Sequence, residues 1–458
     1  MDGEINPWPF FIRRCTIYDK INITDMAEEY LKLFDTTAQR LAYEDGMDYV
    51  EPYVSYTEGD REIHYNKGID YTEALTFKMI SGGTITFKKI DADAPTVTLQ
   101  YKKNDEDWVS FTSSTTARVI NVVAGDKVIF KGNNAQYGVA AGKYNTFYGS
   151  SARFILEGNI MSLINSENFA NLTTLESAYT FVYLFRGCTG LTNASKLVLP
   201  ATTLASSCYY DMFYGCGNLT AAPELPATTM AENCYAYMFS SCGNLTTAPA
   251  LPATTLASSC YTRLFGECYS LTTAPALPAS TLMPHCYGYM FYGCRKLTTA
   301  PELPATTLTE KCYINMFTQC SGLTTAPELP ATTLAASCYT EMFSNCKSLT
   351  AAPALPATTL TNWCYSGMFS ACTSLTTAPE LPATALTVLY CYQFMFQGCS
   401  KLNYIKAMFI TAPQSYLTNY WVQGVASTGT FVKNSAATWT TTGTNAVPSG
   451  WTVETASE

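Results

Sequence analysis

Histidine is almost missing from this chain: His64 and His285 are the only two among 458 residues. It is the commonest general base and metal ligand near neutral pH, so its scarcity removes most acid–base and zinc chemistry. Charge is sparse as well, with 14% Asp, Glu, Lys and Arg and a net charge of -9. No Lys/Arg stripe breaks that weakly acidic background, and nucleic-acid binding is excluded because neutralising phosphates needs concentrated basic side chains. No apolar run reaches the ~18 residues of a bilayer-spanning helix, so no membrane insertion is expected. Met1-Asp2-Gly3-Glu4 is acidic where a secretion signal is basic, and Pro7 to Ile12 is too short and proline-broken for a signal core. Paired carboxylates, a phosphate loop and a nucleophile elbow are all absent, so no enzyme is expected. Nor does any Cys-x-x-Cys pair occur to hold zinc, and neither cofactor nor metal is expected.

Cysteine itself is abundant, with eighteen copies, and seventeen of them belong to one array. From about Leu191 to Cys399 the chain repeats Leu-Thr-Thr-Ala-Pro-Glu-Leu-Pro-Ala-Thr-Thr-Leu, three variable residues, then Cys-Tyr-x-x-Met-Phe-x-x-Cys. Cys208, Cys234, Cys260, Cys286, Cys312, Cys338 and Cys364 follow one another at 26 residues, and Cys391 comes after 27. Such a period marks a solenoid, in which each unit buries its apolar face against its neighbours. The two cysteines of a unit stand eight residues apart. That is roughly 12 Å along a helix, too far for a bridge, so they read as small, reduced core residues.

The expected fold class is an α/β solenoid of about eight 26-residue units, preceded by a small β-sandwich and a short helical N-terminal segment. Four segments follow. Residues 1–69 form an attachment segment with a helix from Thr24 or Asp25 to Ala42. Residues 70–160 alternate with period two, through Leu75, Phe77 and Met79 to Val128 and Phe130, and make the sandwich. Residues 161–402 are the solenoid with a degenerate first repeat, and residues 403–458 a C-terminal cap. Within a unit, Leu-Thr-Thr is expected as a short strand, stopped by the prolines and stacked into one parallel sheet. The second Thr of Ala-Thr-Thr-Leu is expected to N-cap a short helix, with Thr229–Glu232 and Thr307–Glu310 as capping boxes. Cys338, Met342 and Cys346 would share one face of that helix.

The unit Leu-Thr-Thr-Ala-Pro-Glu-Leu-Pro…Met-Phe-x-x-Cys-x-x-Leu resembles the BspA-like (Treponema-type) leucine-rich repeats of bacterial surface proteins. That family has Ala-Phe-x-x-Cys-x-x-Leu where this chain has Met-Phe-x-x-Cys-x-x-Leu, and its usual unit is slightly shorter. The longer unit, the Lys-Gly-Asn-Asn turn at Lys131 to Asn134 and the Gly-Thr-Phe-Val-Lys-Asn tail at Gly429 to Asn434 resemble proteins of gut Bacteroidales and their bacteriophages. The resemblance implies either a virion appendage of tail- or head-fibre type or, as the alternative, a bacterial cell-surface adhesin. On the first reading the protein belongs to the virion. Residues 1–69 then engage other virion proteins, and the solenoid meets a host surface protein or glycan. A homo-oligomer suits an appendage, though no heptad pattern specifies one.

Residues identical from copy to copy hold the fold, and those that vary at fixed places are expected to face outward. Two such columns hold Tyr210, Asp211, Tyr237, Arg263, Tyr289, Asn315 and Glu341; Arg295, Lys296 and Lys347 lie past the second cysteine. These ten are the candidate binding residues, because tyrosine and arginine supply large anchoring contacts.

Overall fold

The computed structural model describes residues 54–58, 61–65, 73–148 and 151–457. The chain divides into two compact units, residues 1–69 and 70–458. In the first, β1 (Val54–Glu58) pairs antiparallel with β2 (Arg61–Tyr65), from Val54 opposite Tyr65 to Glu58 opposite Arg61. The helix expected up to Ala42, and Cys15, lie outside the described residues.

The second unit opens with two sheets. One holds β4 (Gly83–Lys89), β7 (Arg118–Val122), β9 (Gly138–Ala140) and β10 (Lys143–Tyr148), in the order β7-β4-β10-β9. The other holds β3 (Thr76–Met79), β5 (Thr98–Lys103), β6 (Val109–Thr112), β8 (Lys127–Gly132), β11 (Phe154–Asn159) and β12 (Leu191–Val198), in the order β12-β11-β3-β8-β5-β6. The period-two alternation buries Leu75, Phe77, Met79, Ile85 and Phe87. Phe77 and Phe130 of one sheet meet Phe147 of the other at 5.2 and 4.8 Å between ring centroids, and Phe87 packs on Phe147 at 4.6 Å. Burying each ring contributes ~1.5–3 kcal/mol.

The sheets run on into the repeats without a break. Strand β12, part of the first repeat, pairs parallel with β11, and Phe147 stacks on Phe185 at 5.6 Å. One hydrophobic core extends from Leu75 to Trp451. The sheets therefore close the amino-terminal end of the array.

The repeats contain no helix, which corrects the α/β expectation. Among the described residues the single α-helix is α1 (Ser415–Thr418). Cys-Tyr-x-x-Met-Phe-x-x-Cys folds instead as a run of turns in which alternate residues bond differently. Ser207, Tyr209, Asp211, Phe213 and Gly215 donate their N–H groups to carbonyls of the next coil, Glu232 to Ser240, at 2.8–3.0 Å. The residues between them, from Cys208 to Cys216, donate three residues back at 3.0–3.3 Å. Every fourth residue stands in the left-handed region: Ser207, Asp211 and Gly215 at φ 53, 56 and 72°, then Asn233, Tyr237 and Ser241 in the next coil. An α-helix has 3.6 residues per turn, and this apolar spacing is four, which suits a turn that resets after each fourth residue. Alternate N–H groups that a helix would have used internally thus find their partner in the neighbouring coil, so none from Ser207 to Cys216 is left unpaired.

The expected sheet narrows to single-residue parallel bridges, Ala221–Thr247–Thr273–Thr299–Thr325–Ala351. Proline two residues later has no N–H to continue a ladder. Where no proline follows closely the strand persists: β12 runs eight residues, and β13 (Tyr404–Ala407), β14 (Thr430–Lys433) and β15 (Thr452–Thr455) form a parallel three-stranded sheet. Thr229 and Thr307, expected as helix N-caps, sit in parallel bridges to Thr203 and Thr333.

Two aromatic ladders run through the interior. Tyr209, Tyr235 and their successors to Tyr392 stack at 5.6–6.1 Å with planes 2–9° apart. Phe185 to Phe396 stack at 5.4–5.9 Å with planes 3–12° apart. Each pair adds ~0.5–1.5 kcal/mol beyond its area. All seventeen array cysteines are buried and unbridged. The second column does more than fill space. Its thiols donate to phenylalanine carbonyls of the preceding coil, as Cys320 Sγ does to Phe291 O at 3.0 Å and Cys346 Sγ to Phe317 O at 3.1 Å.

Candidate interaction surface

Because the interior positions are so nearly identical, chemistry differs from coil to coil chiefly at the surface, and most of all along the turns. The left-handed residue after each Cys-Tyr pair lies on that side of the coil, in register with its counterparts on either side. In coil order this column reads Asp211, Tyr237, Arg263, Tyr289, Asn315 and Glu341. Tyr210 sits beside it, half-buried, with its ring 5.7 Å from Tyr183 and 5.5 Å from Tyr237. Tyr144 of β10 extends the row, 4.3 Å from Tyr183.

Not every candidate faces outward. Asp211 and Asn315 are each 6% exposed, which corrects that expectation for both. The cause lies in their partners. Asp211 forms an ion pair with Arg186, which spans the coils and also lies 4.3 Å over the Tyr214 ring. Burial nevertheless outweighs this cation and pushes the Asp211 carboxyl up to about 6. Asn315 donates from Nδ2 to Glu341 Oε2 at 2.9 Å and to Thr318 Oγ1 at 3.2 Å, so a short amide is held beneath an exposed carboxylate.

The remaining candidates stay at the surface. Tyr237, Arg263 and Tyr289 are half-buried; Glu341, Arg295, Lys296 and Lys347 are exposed. Arg263 reaches Glu267 at 2.7 Å and covers the Tyr292 ring at 5.0 Å, while Tyr289 contacts the same ring at 6.1 Å. Burial, and then the Glu341 charge, raise the Tyr289 phenol above its usual value. Arg295 covers Tyr269 at 4.9 Å, in the separate row that includes Lys296 and Lys347. The structure thus brings the first seven candidates onto one face and leaves the last three in a second row.

Sequence reasoning missed Tyr214, Ser240, Tyr292 and Thr318, which stand three residues after the left-handed position. The criterion of variation at a fixed place applies to them equally and would have found them. For Arg186, Tyr183 and Tyr144 the repeats carry no signal, since these belong to β10 and the degenerate first unit. Among the described residues no group of three or more His, Cys, Asp or Glu side chains is placed to hold a metal ion. No helix there is long and apolar enough to cross a membrane.

A family model described as the BspA type leucine rich repeat region matches in six copies, over residues 142–298, 233–376 and 285–412. No curated protein matches the chain. A solved structure titled "Crystal structure of TLR13-ssRNA13 complex" is similar at 14% identity and a TM-score of 0.24, over 62% of this chain and 39% of that one.

Proposed function

The chain belongs to the BspA type leucine-rich-repeat family, and from that premise we propose a non-enzymatic bacteriophage virion appendage whose solenoid carries a host-attachment surface. The observation that supports attachment is the contrast between interior and turn face. Cys, Tyr, Met, Phe and Leu recur at identical buried positions, while the column from Asp211 to Glu341 changes at every coil. A constant scaffold with a variable face suits recognition, because the face changes without altering the packing.

Seventeen buried thiols favour the virion reading over the export route, since they suit a chain that folds in a reducing compartment. A cell-surface adhesin of the same family is the alternative, and the same face would serve it. The test is mass spectrometry of purified phage particles beside the cell-surface fraction of the producing culture. Peptides of this chain at stoichiometric level in particles are expected. Their confinement to the cell surface would overturn the virion role and leave the adhesin.

A further inference from the structure

Buried polar atoms almost always have partners, so each exception calls for an explanation. Ten side-chain atoms among the described residues lack one, and five are hydroxyls of the interior tyrosine ladder. Of the other five, Asp211 Oδ1, Ser240 Oγ and Arg263 Nε fall in three consecutive coils on the turn face. In coil order they flank Tyr237: Asp211 lies one coil before it, Ser240 three residues after it, and Arg263 one coil beyond. Arg263 is close enough for its charge to act on the Asp211 carboxyl, and both Tyr237 and Arg263 act on Tyr289. The three atoms are an acceptor, a hydroxyl and a donor, each without a partner.

We propose that this face, centred on Tyr237, binds a neutral saccharide. The site deepens the attachment reading above and rests on it. Charge sets the neutrality, because Arg186 pairs with Asp211 and Arg263 with Glu267, leaving no net charge to attract an ion. A sugar hydroxyl is both donor and acceptor, so hydroxyls spread along an oligosaccharide that crosses the coils suit Asp211 Oδ1, Ser240 Oγ and Arg263 Nε in turn. Half-buried Tyr210, Tyr237 and Tyr289 supply aromatic faces for the apolar side of a pyranose. The three orphaned atoms have almost no solvent exposure, so binding requires the side chains that cover them to shift. Asn315 and Thr318, two coils further, already satisfy each other and Glu341, which places the site's end near Tyr289.

The experiment takes the full chain to an immobilised panel of neutral oligosaccharides, with Ser240→Ala, Arg263→Lys and Asp211→Asn compared against the parent. Each variant is expected to weaken retention about tenfold, the loss of one buried partner. Ser240→Ala separates binding from folding, because removing an unpaired buried hydroxyl leaves the melting temperature unchanged or raised while retention falls. Retention of no saccharide, or equal retention by all three variants, overturns the site. A second arm measures binding to Bacteroidales cells treated with periodate or with protease. Binding that resists periodate and is lost to protease indicates a protein partner, which refutes the saccharide while attachment stands. Binding to no cells at all refutes attachment itself and the site with it.

Discussion

Asp211 is the residue where burial and charge oppose each other most directly. Its carboxyl stands near 6 in the folded chain against roughly 4 in an unfolded one, although Arg186 is bonded to it. A raised acid binds its proton more tightly when folded. The stability it contributes is therefore complete below pH ~4 and is lost as pH rises through 6, about 2–3 kcal/mol in all. In Asp211→Asn this slope between pH 4 and 6 should vanish from urea midpoints measured across that range; a slope identical to the parent's would show that the carboxyl titrates normally. The cysteines behave differently at the same scale. Burial raises the Cys294 thiol to about 12, so it stays protonated and remains a donor to Phe265 O at 3.1 Å.

At the scale of the element, the turn ladder makes a claim that a helix would reverse. Ser337 has φ 56°, and its N–H bonds Asn362 O in the next coil at 2.9 Å. Left-handed backbone costs a residue with a Cβ ~1–2 kcal/mol, and glycine escapes that cost. Ser337→Gly should therefore be neutral or stabilising by up to ~1 kcal/mol, and Ser337→Val destabilising by ~1–2 kcal/mol. In a helix, glycine would instead cost ~0.5–1 kcal/mol relative to alanine. Thermal melts of the two variants decide the sign. The natural chain obeys the same restriction, since among the described residues no Val, Ile or Thr occupies any of the 24 non-glycine positions of positive φ.

At the scale of the molecule, identical units are interchangeable and the ends are not. Removing residues 287–312, one whole 26-residue period, joins Cys286 to Tyr313 and restores the Cys-Tyr pair. The shortened chain should remain folded and monodisperse, because each coil depends only on its neighbours. Removing residues 403–458 should not be tolerated. Trp421, fully buried, covers Tyr392 and Phe396 at 6.2 and 6.1 Å and ties to Ala446 O through Nε1 at 3.0 Å. Without it the last coil exposes aromatic rings and a row of unpaired amides, a template for aggregation. Size-exclusion chromatography of both deletions tests this, and the claim fails if the internal deletion aggregates while the terminal one does not.

The repeat, its family and the buried columns of Cys, Tyr, Met, Phe and Leu were legible in the amino-acid order alone, because a period of 26 and recurrent apolar positions need no third dimension to be seen. The helix was misread there, since Cys208, Met212 and Cys216 satisfy a rough helical spacing as readily as a four-residue turn. Only the neighbouring coil decides between them. A helix closes its hydrogen bonds within itself, whereas these turns send alternate N–H groups across to the next copy. The proposed site was legible in part. Asp211, Tyr237 and Arg263 stand in the variable column that the repeats single out, whereas Ser240 and the unmet polar atoms of Asp211, Ser240 and Arg263 emerge only when the coils stack.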